Sequence, residues 1–153
     1  MRTSLVVAAL GLLMPACIGD YGPDVGEPQR EACANADSDA DVEISYSRDI
    51  FDGILNVARP TRCLNCHDPG ADTPIGYEIG GLDLTTYESL RRGGVRSGGG
   101  IVMPGQPCDS ILAQKVGAGP PFGSRMPYNG PPYLTDAEQL AIHDWIAEGA
   151  KDN

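Results

Sequence analysis

Apolar residues recur at helical spacing in several short segments of this chain, and loops rich in glycine and proline separate these segments. In the first segment, Ser47 can cap a helix that Pro60 ends. The apolar face of this predicted helix comprises Ile50, Phe51, Ile54, Leu55 and Ala58. In the last segment, Thr135 and Glu138 form a capping box that opens a second helix. Its apolar stripe comprises Ile142, Trp145, Ile146 and Gly149.

Two shorter helices are predicted between these segments. Thr85 and Glu88 form another capping-box pattern, and Gly93 closes the helix that follows. Pro107 suits the first turn of a further helix, which Gly117 ends. Its apolar face comprises Cys108, Ile111, Leu112 and Val116. Because no segment alternates as a β-strand does, the pattern predicts an all-α domain with long loops.

The first 16 residues have the pattern of an export signal. Arg2 is followed by ten apolar residues, far fewer than the roughly 20 that a membrane-spanning helix needs. The segment Met14-Pro15-Ala16-Cys17 is similar to a bacterial lipobox, which predicts removal of residues 1–16 and a lipid on Cys17. Simple cleavage and an uncleaved, buried Cys17 are the alternatives. We therefore expect an exported protein, periplasmic or at the cell surface, that is lipid-anchored to a bacterial membrane.

Acidic residues are concentrated directly after this signal. Ten of them lie between positions 18 and 52 against Arg30 and Arg48, within a net charge of −10 for the chain. Residues 17–44 are therefore predicted to form an acidic flexible tether, and residues 45–153 the folded domain. The excess of acidic over basic residues argues against nucleic acid as a partner, because binding to phosphates requires Lys and Arg. The 20 glycines and 13 prolines among 153 residues indicate a small, loop-rich domain, which usually needs a cofactor, metal or disulfide.

Cys63-Leu64-Asn65-Cys66-His67 is a C-x-x-C-H motif, the attachment sequence of c-type haem. Residues i and i+3 of a helical turn lie on one side, so the two thiols can bond the two vinyl groups of one porphyrin. The adjacent His67 can bind the iron as the proximal ligand. The motif therefore predicts one covalent haem c, with Cys63, Cys66 and His67 as its binding residues.

The rest of the sequence argues against three other uses of this motif. A zinc site needs four ligands, and only the distant His143 could join the three residues of the motif. A thioredoxin-like pair needs a βαβ setting, which the pattern lacks. A structural disulfide between Cys63 and Cys66 would leave His67 without a role.

Residues 45–150 resemble a single-haem cytochrome c domain, and the resemblance is closest to the planctomycete-type domains of exported bacterial proteins. The matching segments are Arg48-Asp49-Ile50-Phe51, CLNCH, Gly81-Leu82-Asp83-Leu84, Pro104-Gly105-Gln106-Pro107, Arg125-Met126-Pro127, Leu134-Thr135-Asp136 and Trp145-Ile146-Ala147-Glu148-Gly149-Ala150. The resemblance implies the cytochrome c fold, a few helices wrapped around one haem. It also implies that Met126 is the sixth iron ligand, and that crossing of the first and last helices brings Trp145 near Phe51 and Gly53.

Two other residues compete with Met126 for the sixth position. Met103 also precedes a proline, a residue that stiffens a loop presenting a thioether, and ordinary core packing is the simpler interpretation of Met103. His143 is the third candidate, but its position in the last helix favours the edge of the apolar stripe.

Cys33 and Cys108 remain after the lipid and the haem have taken the other three cysteines. An oxidising compartment allows them to form a disulfide, which would tie the tether to the domain. The alternative for Cys108 is a small buried apolar residue on its helix.

Together these predictions describe an electron carrier and no enzyme, since iron bound by His67 and Met126 has no open position for a substrate. The expected partner is another exported redox protein or a dehydrogenase. The alternatives are a haem-based sensor or small haem enzyme with a labile sixth ligand, and a non-redox surface lipoprotein.

Overall fold

The computed structural model describes residues 33–153, and in this part of the chain it contains helices and no strand. The all-α class is therefore confirmed. The helices are α1 (Tyr46–Leu55), α2 (Leu64–His67), α3 (Ile75–Gly80), α4 (Tyr87–Arg92), α5 (Ile111–Val116) and α6 (Asp136–Ala147), and short 3-10 turns cover Gly98–Ile101 and Pro107–Asp109. None of the helices in residues 33–153 has the length and apolar character needed to cross a bilayer. The predicted signal segment, the lipid site at Cys17 and the tether up to residue 32 lie outside the described residues.

Helix α1 is wound as a π-helix, and its N-cap lies two residues before the predicted one. The Ser45 side chain accepts a hydrogen bond from the Arg48 N–H at 3.4 Å, so Ser45 is the N-cap. The prediction of Ser47 was wrong because the Ser47 hydroxyl instead donates to the Asn153 carbonyl oxygen at 2.9 Å. The helix ends at Leu55, before the predicted end at Pro60.

The shorter helices also differ in detail from their predictions. In α4 the capping box is formed by Thr86 and Ser89, one position after the predicted pair, and Gly93 follows the helix as predicted. The helix predicted from Pro107 is split at Ser110, whose buried hydroxyl donates to the Gln106 carbonyl oxygen at 2.9 Å. At α6 the predicted capping box of Thr135 and Glu138 is confirmed.

The core lies between the first and last helices. Ile50 of α1 and Ile142, Trp145 and Ile146 of α6 are fully buried, and burial of each such side chain contributes about 1.5–3 kcal/mol. The ring of Tyr46 packs on Trp145 with centroids 5.4 Å apart. Phe51, which was expected near Trp145, is partly buried and packs against this core, with its ring centroid 6.2 Å from that of Tyr46. A Cβ added at position 53 would lie 3.3 Å from the Arg48 carbonyl oxygen.

Residues 33–44, the described part of the predicted tether, lie against the domain. Cys33 forms a disulfide with Cys108 across 75 positions of sequence. The Ser38 N–H and hydroxyl both donate to the Asp144 carboxylate, and the Ile44 N–H donates to the Glu148 carboxylate at 2.9 Å. This segment is thus attached to α6 by polar contacts and to the turn before α5 by a covalent bond.

Candidate haem site

The C-x-x-C-H motif forms a single helical turn. The N–H groups of Cys66 and His67 both donate to the Cys63 carbonyl oxygen, at 3.2 and 3.0 Å. This bonding places Cys63 and Cys66 on the same side of the turn. Leu64, between them, is buried in the core and fixes the turn to the domain.

Cys63 and Cys66 are free thiols, and each is half-buried. The structure therefore does not join them in the disulfide considered above. Burial raises the pKa of the Cys63 thiol, so this thiol keeps its proton at neutral pH. Both sulfurs are available for covalent attachment.

The segment after α3 holds His67 in place. The His67 Nδ1 lies 3.1 Å from the Leu82 carbonyl oxygen, and the Leu84 N–H donates to the His67 carbonyl oxygen at 2.9 Å. Because a carbonyl oxygen only accepts, Nδ1 carries the proton and Nε2 keeps the lone pair that a metal ligand needs. Burial lowers the pKa of His67, which favours this neutral form.

Gly76 of α3 lies directly against the His67 ring. A Cβ at this position would lie 2.7 Å from Cε1 and 2.8 Å from Nε2 of His67, closer than packed atoms approach. Glycine therefore leaves the ring edge that carries Nε2 free of a side chain. Two free thiols on one side of a turn, beside a neutral imidazole with an unprotonated Nε2, fit a covalently attached haem.

Met126 lies in the loop after α5, and its backbone is bound to that helix. The Met126 N–H donates to the Lys115 carbonyl oxygen at 2.7 Å, and the Arg125 Nε donates to the Val116 carbonyl oxygen at 2.9 Å. The Met126 side chain is half-buried. The charge of Lys115 also contributes to lowering the pKa of His67.

The two competing candidates for the sixth position make other contacts. The Met103 N–H donates to the Ser110 hydroxyl at 2.8 Å, and Met103 is half-buried. The ring nitrogens of His143 lie 3.1 Å from an Asp144 carboxylate oxygen and 2.8 Å from the Ala34 carbonyl oxygen. Both nitrogens of His143 are therefore engaged by oxygen atoms of the protein.

The structure does not assemble the zinc site considered from the sequence. Across residues 33–153, the one cluster of three metal-binding side chains is Cys33, Cys108 and His143, with ligand atoms within 4.8 Å of one another. Both sulfurs of this cluster are bonded in the disulfide, so they are not the thiolates that zinc binds. Cys63, Cys66 and His67 do not belong to it.

Three residues of the site were missed by sequence reasoning. Leu82 acts through its carbonyl oxygen, Gly76 through a missing side chain, and Lys115 through contacts with the loop that follows its helix. Only the contact of Leu82 had a signal in the sequence, which is the glycine before it. A glycine at this position predicts a left-handed helix end, and Gly81, with a φ of +62°, ends α3 directly before Leu82.

A comparison with protein families gives a match at this site. The family described as Planctomycete cytochrome C matches residues 63–127, which begin with the first cysteine of the motif and include Met126 and Pro127. No curated protein and no solved structure gave a significant match to the chain. The matched segment, the free thiols and the orientation of His67 agree with one another, and together they support a cytochrome c-type domain.

Proposed function

We propose that this domain carries one electron at a time on a single, covalently attached haem c. The observation that carries the proposal is the turn that holds Cys63, Cys66 and His67, with the His67 Nδ1–H on the Leu82 carbonyl oxygen, inside a cytochrome c-type domain. The sequence contains this motif once, which supports one haem per chain.

Each residue of the turn has a defined task. Cys63 and Cys66 each add a sulfur and a hydrogen across one vinyl double bond, so attachment needs neither an oxidant nor a leaving group. His67 offers Nε2 to the iron, while the Leu82 carbonyl oxygen fixes the orientation of the ring and raises the basicity of the ligand nitrogen. When bound, haem c supplies exchange of one electron between the ferrous and ferric states.

Met126 is the proposed sixth ligand. Its position in the matched segment and the hydrogen bond of its N–H to Lys115 support this assignment. A thioether ligand favours the ferrous state and raises the reduction potential. If His67 and Met126 both held the iron, it would have no position left for a substrate, and we therefore propose a carrier and not an enzyme.

The proposed setting follows from the amino-terminal sequence. Removal of residues 1–16 and a lipid on Cys17 would hold the domain at a bacterial membrane, in the periplasm or at the cell surface. In that compartment the electron partner would be another exported redox protein or a dehydrogenase.

An absorption spectrum tests the haem itself. The full chain is purified from a host that attaches haem c, and spectra are recorded in air and after dithionite. We expect the reduced bands of haem c, haem stain on the denatured polypeptide, and colour that acidified acetone does not extract. The double variant Cys63→Ala/Cys66→Ala should lose the stain, while the matched control Cys33→Ala/Cys108→Ala should keep it. A colourless wild-type protein would refute the proposal.

A second experiment tests the axial ligand and the class of haem protein. Met126→Ala should abolish the thioether-to-ferric charge-transfer band, and the matched control Met103→Ala should retain it. Carbon monoxide should bind the reduced wild-type protein slowly and weakly, and the Met126→Ala variant rapidly. Fast, tight binding to the wild-type protein at neutral pH would support the sensor or enzyme instead.

A further inference from the structure

The loop between α5 and Met126 is held by one lysine. The Lys115 Nζ donates to the Phe122 carbonyl oxygen at 2.8 Å and also to the Ser124 carbonyl oxygen. The carbonyl oxygen of the same residue accepts the Met126 N–H. A single residue therefore contacts the loop at three points, and the last of these is Met126 itself.

The hydrogen-bond partners of the Lys115 ammonium group in residues 33–153 all belong to the loop. This ammonium group is partly buried, and burial together with the nearby charge of Arg96 lowers its pKa. No carboxylate is among the hydrogen-bond partners of its Nζ in residues 33–153. Its partners are the two carbonyl oxygens and the face of the Phe122 ring, whose centroid is 5.0 Å from Nζ.

The loop itself has little means of fixing its conformation. Residues 117–126 contain three glycines and two prolines, and no helix lies within them. Glycine broadens the conformations open to a free loop, so contacts from outside it must select one. Besides Lys115, the tie nearest to Met126 is the hydrogen bond from the Arg125 Nε to the Val116 carbonyl oxygen.

We infer that Lys115 is a positioning residue for the axial ligand: it fixes the 117–126 loop so that Met126 is presented to the iron. This inference rests on the proposed function, because it takes Met126 as the sixth ligand. It assigns to Lys115 control over how firmly the thioether stays bound, and hence over the reduction potential and the access of external ligands.

The test compares three variants of the haem-loaded full chain. Lys115→Met keeps the length of the side chain and removes the charge and the donors. Lys115→Arg keeps the positive charge and the hydrogen-bond donors. Arg92→Met is the electrostatic control, because it removes one exposed positive charge from the same domain. Amide exchange at Met126, the thioether-to-ferric band, the reduction potential and carbon monoxide binding are measured for each.

We expect Lys115→Met to speed exchange of the Met126 N–H by about tenfold, the ratio expected for loss of a charged hydrogen bond at a partly exposed group. The same variant should weaken the charge-transfer band, lower the potential and accelerate carbon monoxide binding, and Lys115→Arg should restore all four. If Lys115→Met is poorly folded by circular dichroism, Lys115→Gln, which keeps a donor, is measured with the same expectations at smaller size.

Four results would overturn the inference. The first is that Lys115→Met has the amide exchange rate and the charge-transfer band of the wild-type protein. The second is that Arg92→Met has the same effects as Lys115→Met, because this would show that only the net charge matters. An unchanged spectrum in Met126→Ala would refute the ligand assignment and the inference with it. A lost band in Met126→Ala with an intact band in Lys115→Met would refute the inference and leave the proposed function standing.

Discussion

Substitution of Gly76 by alanine should disturb His67 more than any neighbouring glycine substitution. The added Cβ would meet Cε1 and Nε2 of His67 at 2.7 and 2.8 Å and the Cys66 carbonyl oxygen at 2.9 Å. Ordinary contact for such atoms begins at about 3.5 Å. The ring must therefore move by several tenths of an ångström, and the Cys66 backbone limits the direction in which it can go.

The cost has two parts. Overpacking at a close contact costs about 1–3 kcal/mol, and weakening of the hydrogen bond from Nδ1 to the Leu82 carbonyl oxygen costs about 1 kcal/mol. Alanine in place of glycine within a helix offsets about 1 kcal/mol of this loss. We therefore expect Gly76→Ala to lower the free energy of unfolding by about 1–3 kcal/mol, together with an altered haem spectrum.

Gly80 provides a matched control in the same helix. A Cβ at position 80 would meet no atom within 4 Å, so Gly80→Ala should be neutral or stabilising by up to about 1 kcal/mol. Urea unfolding and absorption spectra of the two haem-loaded variants give the comparison. Equal stability and equal spectra for Gly76→Ala and Gly80→Ala would show that the approach of α3 to His67 is not as close as described.

The remaining predictions concern the disulfide, an ion pair and the axial ligand. Cys108→Ser should lower the free energy of unfolding by about 4 kcal/mol, because the disulfide with Cys33 closes a loop of 75 positions. Two titratable thiols in the haem-loaded wild-type protein, measured without reductant, would contradict the disulfide. Burial would raise the pKa of Glu138, but its hydrogen bonds to the helix cap and to Arg59 outweigh burial and lower it. Its stabilising contribution is therefore present above about pH 4.5 and lost as the pH falls through the lower folded value, so Glu138→Gln should flatten the acid limb of a stability profile. Met126→Ala should lower the reduction potential measured by redox titration, and an unchanged potential would exclude the thioether ligand.

The parts of the fold that were predicted correctly depend on neighbours in sequence. The capping box of Thr135 and Glu138 and the burial of Ile142, Trp145 and Ile146 on α6 require only a local pattern, and both are present. Gly149, the last residue of the predicted stripe, lies beyond the end of the helix, with a φ of +102°. The motif at Cys63 likewise needs only its own five residues to form a turn. Local rules were sufficient for these features.

The incorrect predictions have causes that the helical pattern does not contain, and some of these causes lie far away along the chain. Ser47 was a reasonable cap, but Asn153 takes its hydroxyl and its N–H, which leaves Ser45 as the cap. Ser110 interrupts the predicted helix because its hydroxyl bonds backbone groups of the preceding turn, including the Met103 N–H. The Leu82 carbonyl oxygen has no side-chain signature at all, so its contact with His67 could come only from the structure.

The packing of α1 on α6 has a consequence for the order of events during biosynthesis. A ribosome completes α1 and the Cys63–His67 turn 80 residues before it completes α6, and the buried face of α1 has its partner in that last helix. Before Trp145 packs on Tyr46, the core that partly buries Cys63 and Cys66 is incomplete. The two thiols are half-buried in the folded domain and fully exposed in an unfolded chain, so we expect haem to reach them most easily before α6 packs on α1.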